Sequence, residues 1–173
     1  MASLTREYLY GQAYLFVYYS GAINRLIIVI MAGIFHNFPI RASSNSVFET
    51  ITTPKGLDLW WTKSSSGKSG AGELFQFDFG PDYQWTAILS EYIPNEAVEW
   101  TMQEADQDWT GTKVGFRLKQ NDRVTDVQFY HMGWKSENEQ FRTSNFCWAM
   151  YLRILKRYLE FGETVGYEDR LNT

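Results

Sequence analysis

"VTDVQFYHMGWKSENEQFRTSNFCWAMYLRILKRYLEFG", residues 124–162, changes period halfway along. In its first part Thr125, Val127, Phe129, His131 and Gly133 fall on one side, and Tyr130 and Met132 on the other. That is the two-residue alternation of a strand with one buried face. From about residue 138 the apolar residues Phe141, Trp148, Tyr151, Leu152, Leu155 and Leu159 recur at helical spacing, with Arg153, Lys156, Arg157 and Glu160 off the stripe. Gly162 is a natural C-cap, since glycine accepts the left-handed backbone that ends a helix. The spacing therefore predicts one long helix over residues 138–161, directly after a strand. A sheet with one apolar face needs a cover, and this helix is the only element large enough to supply it.

Upstream, the period stays at two from residue 73 to 133. "ELFQFDFG", "YQWTAILSEY", "AVEWTMQ" and "KVGFRLKQ" read as four further strands. Their separators, "PD", "IPNE", "EADQDWTGT" and "NDR", are turn-like. Connections this short imply antiparallel neighbours, because parallel pairing needs a crossover of about a dozen residues or more. Residues 34–43, "IFHNFPIRAS", alternate too, with Pro39 marking an edge or a bend. In residues 43–61, "SSNSVFETITTPKGLDLWW", Ser43 or Ser44 can cap a helix carrying Val47, Phe48 and Ile51. Pro54 then opens a second short helix with Leu57, Trp60 and Trp61. Residues 62–72, "TKSSSGKSGAG", read as a loop. The order is strand, two short helices, five strands, one long helix: an α+β domain over residues 31–173, with about six strands.

Residues 1–30 differ in character. They are apolar and aromatic, yet Arg25, Gln12, Asn24 and several Gly and Ser weaken a transmembrane reading. Arg6 and Glu7 cancel where a secretory signal would be basic, and no A-x-A site follows. The expectation is an N-terminal extension outside the fold, with Met31 as the natural start. A membrane or signal role and a packed accessory element are the alternatives.

The 173 residues are 45% hydrophobic and 21% charged, ordinary for a globular chain. Aromatic content is 17%, and large rings fill cores but also line apolar pockets. The net charge of −4 argues against nucleic-acid binding, which needs a basic face. Cys147 is the single cysteine, so no internal disulfide forms and the chain reads as cytoplasmic. With only His36 and His131 beside it, a zinc site of the usual kind is out of reach, and no metal or cofactor is expected. "SSSGKSG" fails as a phosphate loop because Thr62 stands where glycine is required and no helix follows. "EADQDW" lacks the glycine and distant glutamate of a calcium loop. No nucleophile motif is present.

Taken together, "VFETITTPKGLDLWWT", "GTKVGFRLKQNDRVTDVQFYHMGW" and "WAMYLRILKRYLEFGE" resemble the START-like, or SRPBCC, superfamily. Within it, they are most similar to small proteins related to the C-terminal domain of the heat-shock ATPase activator. The resemblance runs from about Met31 to Leu171. It implies a helix-grip fold, in which a curved antiparallel sheet wraps the C-terminal helix and leaves an apolar cavity. It also places the "H-x-G-[WF]" end of the last strand, His131 to Trp134, near the cavity mouth. Members include lipid carriers, hormone receptors and polyketide cyclases, so fold does not settle function.

By period, Trp85, Trp100, Phe116, Phe129, Trp148 and Tyr151 belong to the concave side, as core or as cavity lining. Of the adjacent Trp60 and Trp61, the expectation is that one anchors the core and Trp61 closes the entrance. His131 is the inward group that titrates near neutrality. Its readings are a structural histidine, a ligand contact, or the acid–base group of a cyclase-like enzyme, with Glu91, on the face of Leu89, as the best orienting partner. The favoured expectation is non-enzymatic binding of a small apolar or aromatic ligand. The alternatives are that His131-dependent enzyme and a protein partner, as in a chaperone ATPase activator. A membrane partner is not expected, and oligomeric state stays open.

Overall fold

The short polar turns do what their length demands: every strand pairs antiparallel with its neighbour. The computed structural model describes residues 3–10, 13–20 and 25–172, and before Ala32 it describes the backbone alone. The elements are β1 (Ser3–Tyr10), β2 (Ala13–Ser20), β3 (Arg25–Ile40), α1 (Ser44–Thr52), α2 (Pro54–Leu57), β4 (Ser64–Ser66), β5 (Leu74–Asp78), β6 (Gln84–Ile93), β7 (Ala97–Glu104), β8 (Lys113–Asn121), β9 (Val124–Trp134) and α3 (Glu139–Phe161). A short 3-10 turn, Tyr167–Asp169, follows. The sheet order is β1-β2-β3-β9-β8-β7-β6-β5-β4.

Seven of these strands, β3 to β9, belong to the expected helix-grip domain, where the sequence suggested about six. The extra strand is β4, inside the segment read as a loop. Its serines are held: Ser65 Oγ donates to Asp58 Oδ1 at 2.8 Å and to Pro54 O at 3.1 Å. The expectation that residues 1–30 stand outside the fold lies outside the residues described with side chains. The β9 pairing of β3 starts at Ala32, opposite Trp134. Among the described residues, no helix is long and apolar enough to cross a membrane.

The helix signals work locally as their chemistry predicts. Ser43 caps α1 by accepting from Ser46 N at 3.1 Å. Pro54 occupies the first turn of α2, where its missing N–H removes no helical bond. Asn138 caps α3 by accepting from Phe141 N at 3.0 Å, and Gly162 ends it at φ 70°. The buried face of α3 carries Ser144, Trp148, Leu152, Ile154 and Leu155. It packs on inward residues of the strands, including Val114, Phe116, Val127 and Phe129. The helix end is tied to β3: Glu160 accepts from Arg41 N at 2.8 Å and from Lys156 Nζ at 2.8 Å, and Lys156 also donates to Pro39 O.

Of three register shifts in strands β3 to β9, two change which candidate side chains face inward. In β6, Leu89 pairs with Trp100 but Glu91 pairs with Glu99, so Ser90 is the extra residue. The parity flips there, and Glu91 leaves the face of Leu89. It joins the outer surface, where Arg117 Nη2 lies 2.7 Å from its carboxylate. The sequence pairing of Glu91 with His131 is therefore wrong, because simple alternation does not survive a bulge. In β9, adjacent Ala32 and Gly33 of β3 face Trp134 and Met132, which leaves Gly133 extra at φ 90°. That glycine returns Trp134 to the side of His131, where it is 1% exposed.

On the outer face, Gly115 lets the Tyr130 ring lie across β8. A Cβ there would stand 2.2 Å from Tyr130 Cζ. Tyr130 Oη donates to Glu99 Oε2 at 2.9 Å, and Lys113 Nζ donates to Glu99 Oε1 at 2.8 Å.

Candidate functional site

A cavity of about 400 Å³ opens beside α3. Five segments line it: Trp61 after α2, Phe79, Tyr83 and Trp85 at the β5–β6 turn, Asp106 and Trp109 between β7 and β8, one face of α3, and Tyr167 and Leu171 of the C-terminal segment. The α3 contribution is Gln140, Thr143, Ser144, Cys147, Trp148 and Tyr151, spaced as one helical face.

The walls are rings in contact. Trp61 and Phe79 have centroids 5.4 Å apart, Phe79 and Trp85 4.9 Å, Trp85 and Trp109 4.8 Å, Trp109 and Trp148 5.7 Å, and Trp148 and Trp61 5.1 Å. The five close a cycle, and each lines the cavity. Tyr151 adds an edge contact to Trp148 at 6.4 Å. Tilted pairs at these separations add attraction beyond simple burial.

His131 sits beneath this belt, fully buried and outside the lining. Its ring is 4.4 Å from Trp109 and 4.6 Å from Trp134. The indole N–H of Trp148 donates to Nδ1 at 3.0 Å, and Nε2 lies 2.9 Å from Thr112 Oγ1. An indole nitrogen only donates, so Nδ1 must be the acceptor. Thr112 Oγ1 gives its one proton to Trp109 O at 2.5 Å, so it must accept from Nε2–H. The network thus assigns the neutral imidazole with its proton on Nε2. Burial pushes its pKa well below the ordinary histidine range. Both ring nitrogens hold protein groups, and neither meets a carboxylate. The residue orients Trp148 and joins β9, the β7–β8 connection and α3.

Of the residues expected at the site, Trp61, Trp85, Trp148 and Tyr151 line the cavity. Trp100, Phe116, Phe129, His131 and Trp134 lie in the core behind it, each 1% exposed or less. Trp60 anchors the core, donating from Nε1 to Thr50 O at 3.3 Å. Sequence reasoning missed Asp106, Trp109 and Tyr167, on turns without a period, and Phe79 and Tyr83, at the ends of segments it read as strands. It also missed the polar half of the α3 face, which the spacing from Gln140 to Tyr151 could have shown. Trp109 is fixed by donating from Nε1 to Ser144 Oγ at 3.3 Å.

Beside the rings, the lining carries the polar groups of Asp106, Gln140, Thr143, Ser144 and Cys147 and the hydroxyls of Tyr83, Tyr151 and Tyr167. Cys147 is half-buried, and burial raises its thiol pKa, so it stays protonated. Burial and the neighbouring Tyr167 and Cys147 push Tyr151 up to about 12. No group of three His, Cys, Asp or Glu that could hold a metal occurs among the described residues.

Comparison with known proteins agrees with this architecture. Residues 41–160 match the family model of Activator of Hsp90 ATPase homolog 1-like protein. The solution structure of the Aha1 dimer from Colwellia psychrerythraea is 31% identical, with a TM-score of 0.70 over 77% of this chain and 99% of that one. CalU16 from Micromonospora echinospora is 15% identical, with a TM-score of 0.66 over 83% of each chain. A protein from Staphylococcus saprophyticus is 19% identical, with a TM-score of 0.65 over 77% of this chain and 95% of that one. These last two share the fold alone. No curated protein matches the chain. The fold is START-like, and the chain belongs to the family of Activator of Hsp90 ATPase homolog 1-like proteins.

Proposed function

We propose that the protein binds a small apolar or aromatic molecule in this cavity and does not transform it. The observation that carries the reading is a cavity of about 400 Å³ whose lining includes five mutually contacting rings, a volume suited to a ligand of a few fused rings. Affinity would come from removing ring surface from water, worth about 25 cal/mol per Å² of apolar area. The hydroxyls of Tyr151 and Thr143 and the amide of Gln140 would set orientation. His131 serves the site by holding the Trp148 indole, which pre-organises the wall.

A reaction driven by His131 finds no support in this geometry, since both nitrogens are occupied and the ring is outside the lining. A chaperone-ATPase role rests on family membership alone. The Colwellia relative is a dimer, and native mass spectra would read the assembly of this chain directly.

Titrating full-length protein with a panel of planar aromatics, read by tryptophan fluorescence, tests the reading. Saturable binding at micromolar concentration is expected, weakened at least about tenfold by Trp85→Leu. Absence of binding across the panel, together with no small molecule carried in native mass spectra, would end it.

A further inference from the structure

We propose that the ligand of this cavity is an organic cation with a flat apolar body. The inference rests on the binding reading above and names the chemical class of the ligand. Two independent features of the walls point to it. The first is the belt itself. Aromatic faces carry a negative quadrupole, so a cavity lined by many rings favours a positive charge set against its wall. Trp61, Trp85, Trp109 and Trp148 are indoles, the strongest of the ring partners for cations.

The second feature is Asp106. It is the one charged residue of the lining, and its carboxylate makes no ion pair or side-chain hydrogen bond among the described residues. Its backbone carbonyl is what the fold uses, accepting from Trp109 N and Thr110 N at 2.9 Å each. That turn holds the Asp106 backbone in place and keeps the residue in the cavity lining. Among the described residues no Lys, Arg or His lines the cavity, so an anionic ligand would meet no cation in the wall itself. Cys147 and Tyr151 stay neutral, so neither adds a competing charge.

Arg170 is the cation to reckon with. It is 4% exposed and packs 5.4 Å over the Tyr167 ring. Its guanidinium donates to Thr62 O, Asp58 O and Val165 O. It is not part of the lining. A neutral ligand would therefore gain burial alone, a cation burial plus attraction, and a carboxylate burial against repulsion.

Three size-matched probes separate these cases: (2-naphthylmethyl)trimethylammonium, 2-naphthylmethanol and 2-naphthoate. Each is titrated calorimetrically into the full-length protein at about 0.1 M salt. The ammonium should bind at least about tenfold tighter than the alcohol, with the naphthoate weakest. Asp106→Asn should weaken the ammonium at least about threefold more than the alcohol, with the fold checked by circular dichroism. If the alcohol binds as tightly as the ammonium, or the naphthoate binds best, the cation inference is overturned and the binding reading stands. An ammonium that leads by tenfold but is indifferent to Asp106→Asn overturns the assigned role of that carboxylate. If none of the three binds, the cation inference falls, and the aromatic panel with the native mass spectra decides the binding reading.

Discussion

Acidification should weaken this fold through His131. The folded state holds the ring neutral, with Nδ1 accepting from Trp148 and Nε2–H donating to Thr112. Burial depresses its pKa far below the usual value near 6.5. In the unfolded chain the same residue takes up a proton below that value. The unfolded state then binds more protons, so stability rises with pH across this window and is lost as pH falls below about 6.5. At pH 7.5 the cost is close to zero. At pH 5.5 it is RT ln(1 + 10), about 1.4 kcal/mol. With a urea slope of about 2 kcal/mol/M, the midpoint moves by about 0.7 M. His36, also depressed by burial, acts in the same direction, as do ordinary carboxylates at lower pH. The measurement is therefore a difference of differences. Urea curves are taken at pH 7.5 and 5.5 for the wild type and for His131→Gln. The variant is less stable at both, but the gap should narrow by about 1.4 kcal/mol at pH 5.5, because only the wild type carries this proton linkage. A gap equal at both pH values would refute the reasoning. So would nitrogen NMR showing a folded imidazolium, or a proton on Nδ1, at pH 5.5.

Other outcomes follow from single contacts. Gly115→Ala places a methyl 2.2 Å from the Tyr130 ring, so Tyr130 must leave Glu99; a loss of about 1–3 kcal/mol in urea unfolding is expected, and wild-type stability would refute the close approach. Arg170→Ala removes the donors that tie the C-terminal segment to Thr62 and Asp58. Faster proteolysis after Gly162 and a loss of about 1–3 kcal/mol should follow, and an unchanged digest would show the segment is held otherwise. Starting the chain at Met31 should leave the melting temperature unchanged and improve solubility, because β3 meets β9 only from Ala32 onward. A lowered melting temperature would show that residues 1–30 pack.

Much of the site was hidden for identifiable reasons. Trp100, Phe116 and Phe129 share the inward period with Trp85, yet they are core and Trp85 lines the cavity. Period tells which face a side chain takes, and says nothing of how far along the sheet the packing ends. Trp109 sits in a turn, where no alternation reports burial, and Phe79 and Tyr83 stand at strand ends, where alternation does not say what lies beyond. Glu91 followed the alternation on paper, but the bulge at Ser90 sent it to the opposite surface.

What the sequence determined was local and periodic. The two-residue alternation set five strands, the 3.6-residue stripe set α3, and Ser43, Pro54, Asn138 and Gly162 marked helix ends through bonds within a few residues. Short turns then forced antiparallel order. The tertiary structure alone decided the rest. The neutral state of His131 comes from its burial, and its tautomer from Trp148 and Thr112, 17 and 19 residues away. The ring cluster assembles Trp61, Phe79, Trp85, Trp109 and Trp148 from three connections, strand β6 and helix α3. Those are sums of many distant contacts, and no short window of residues contains them.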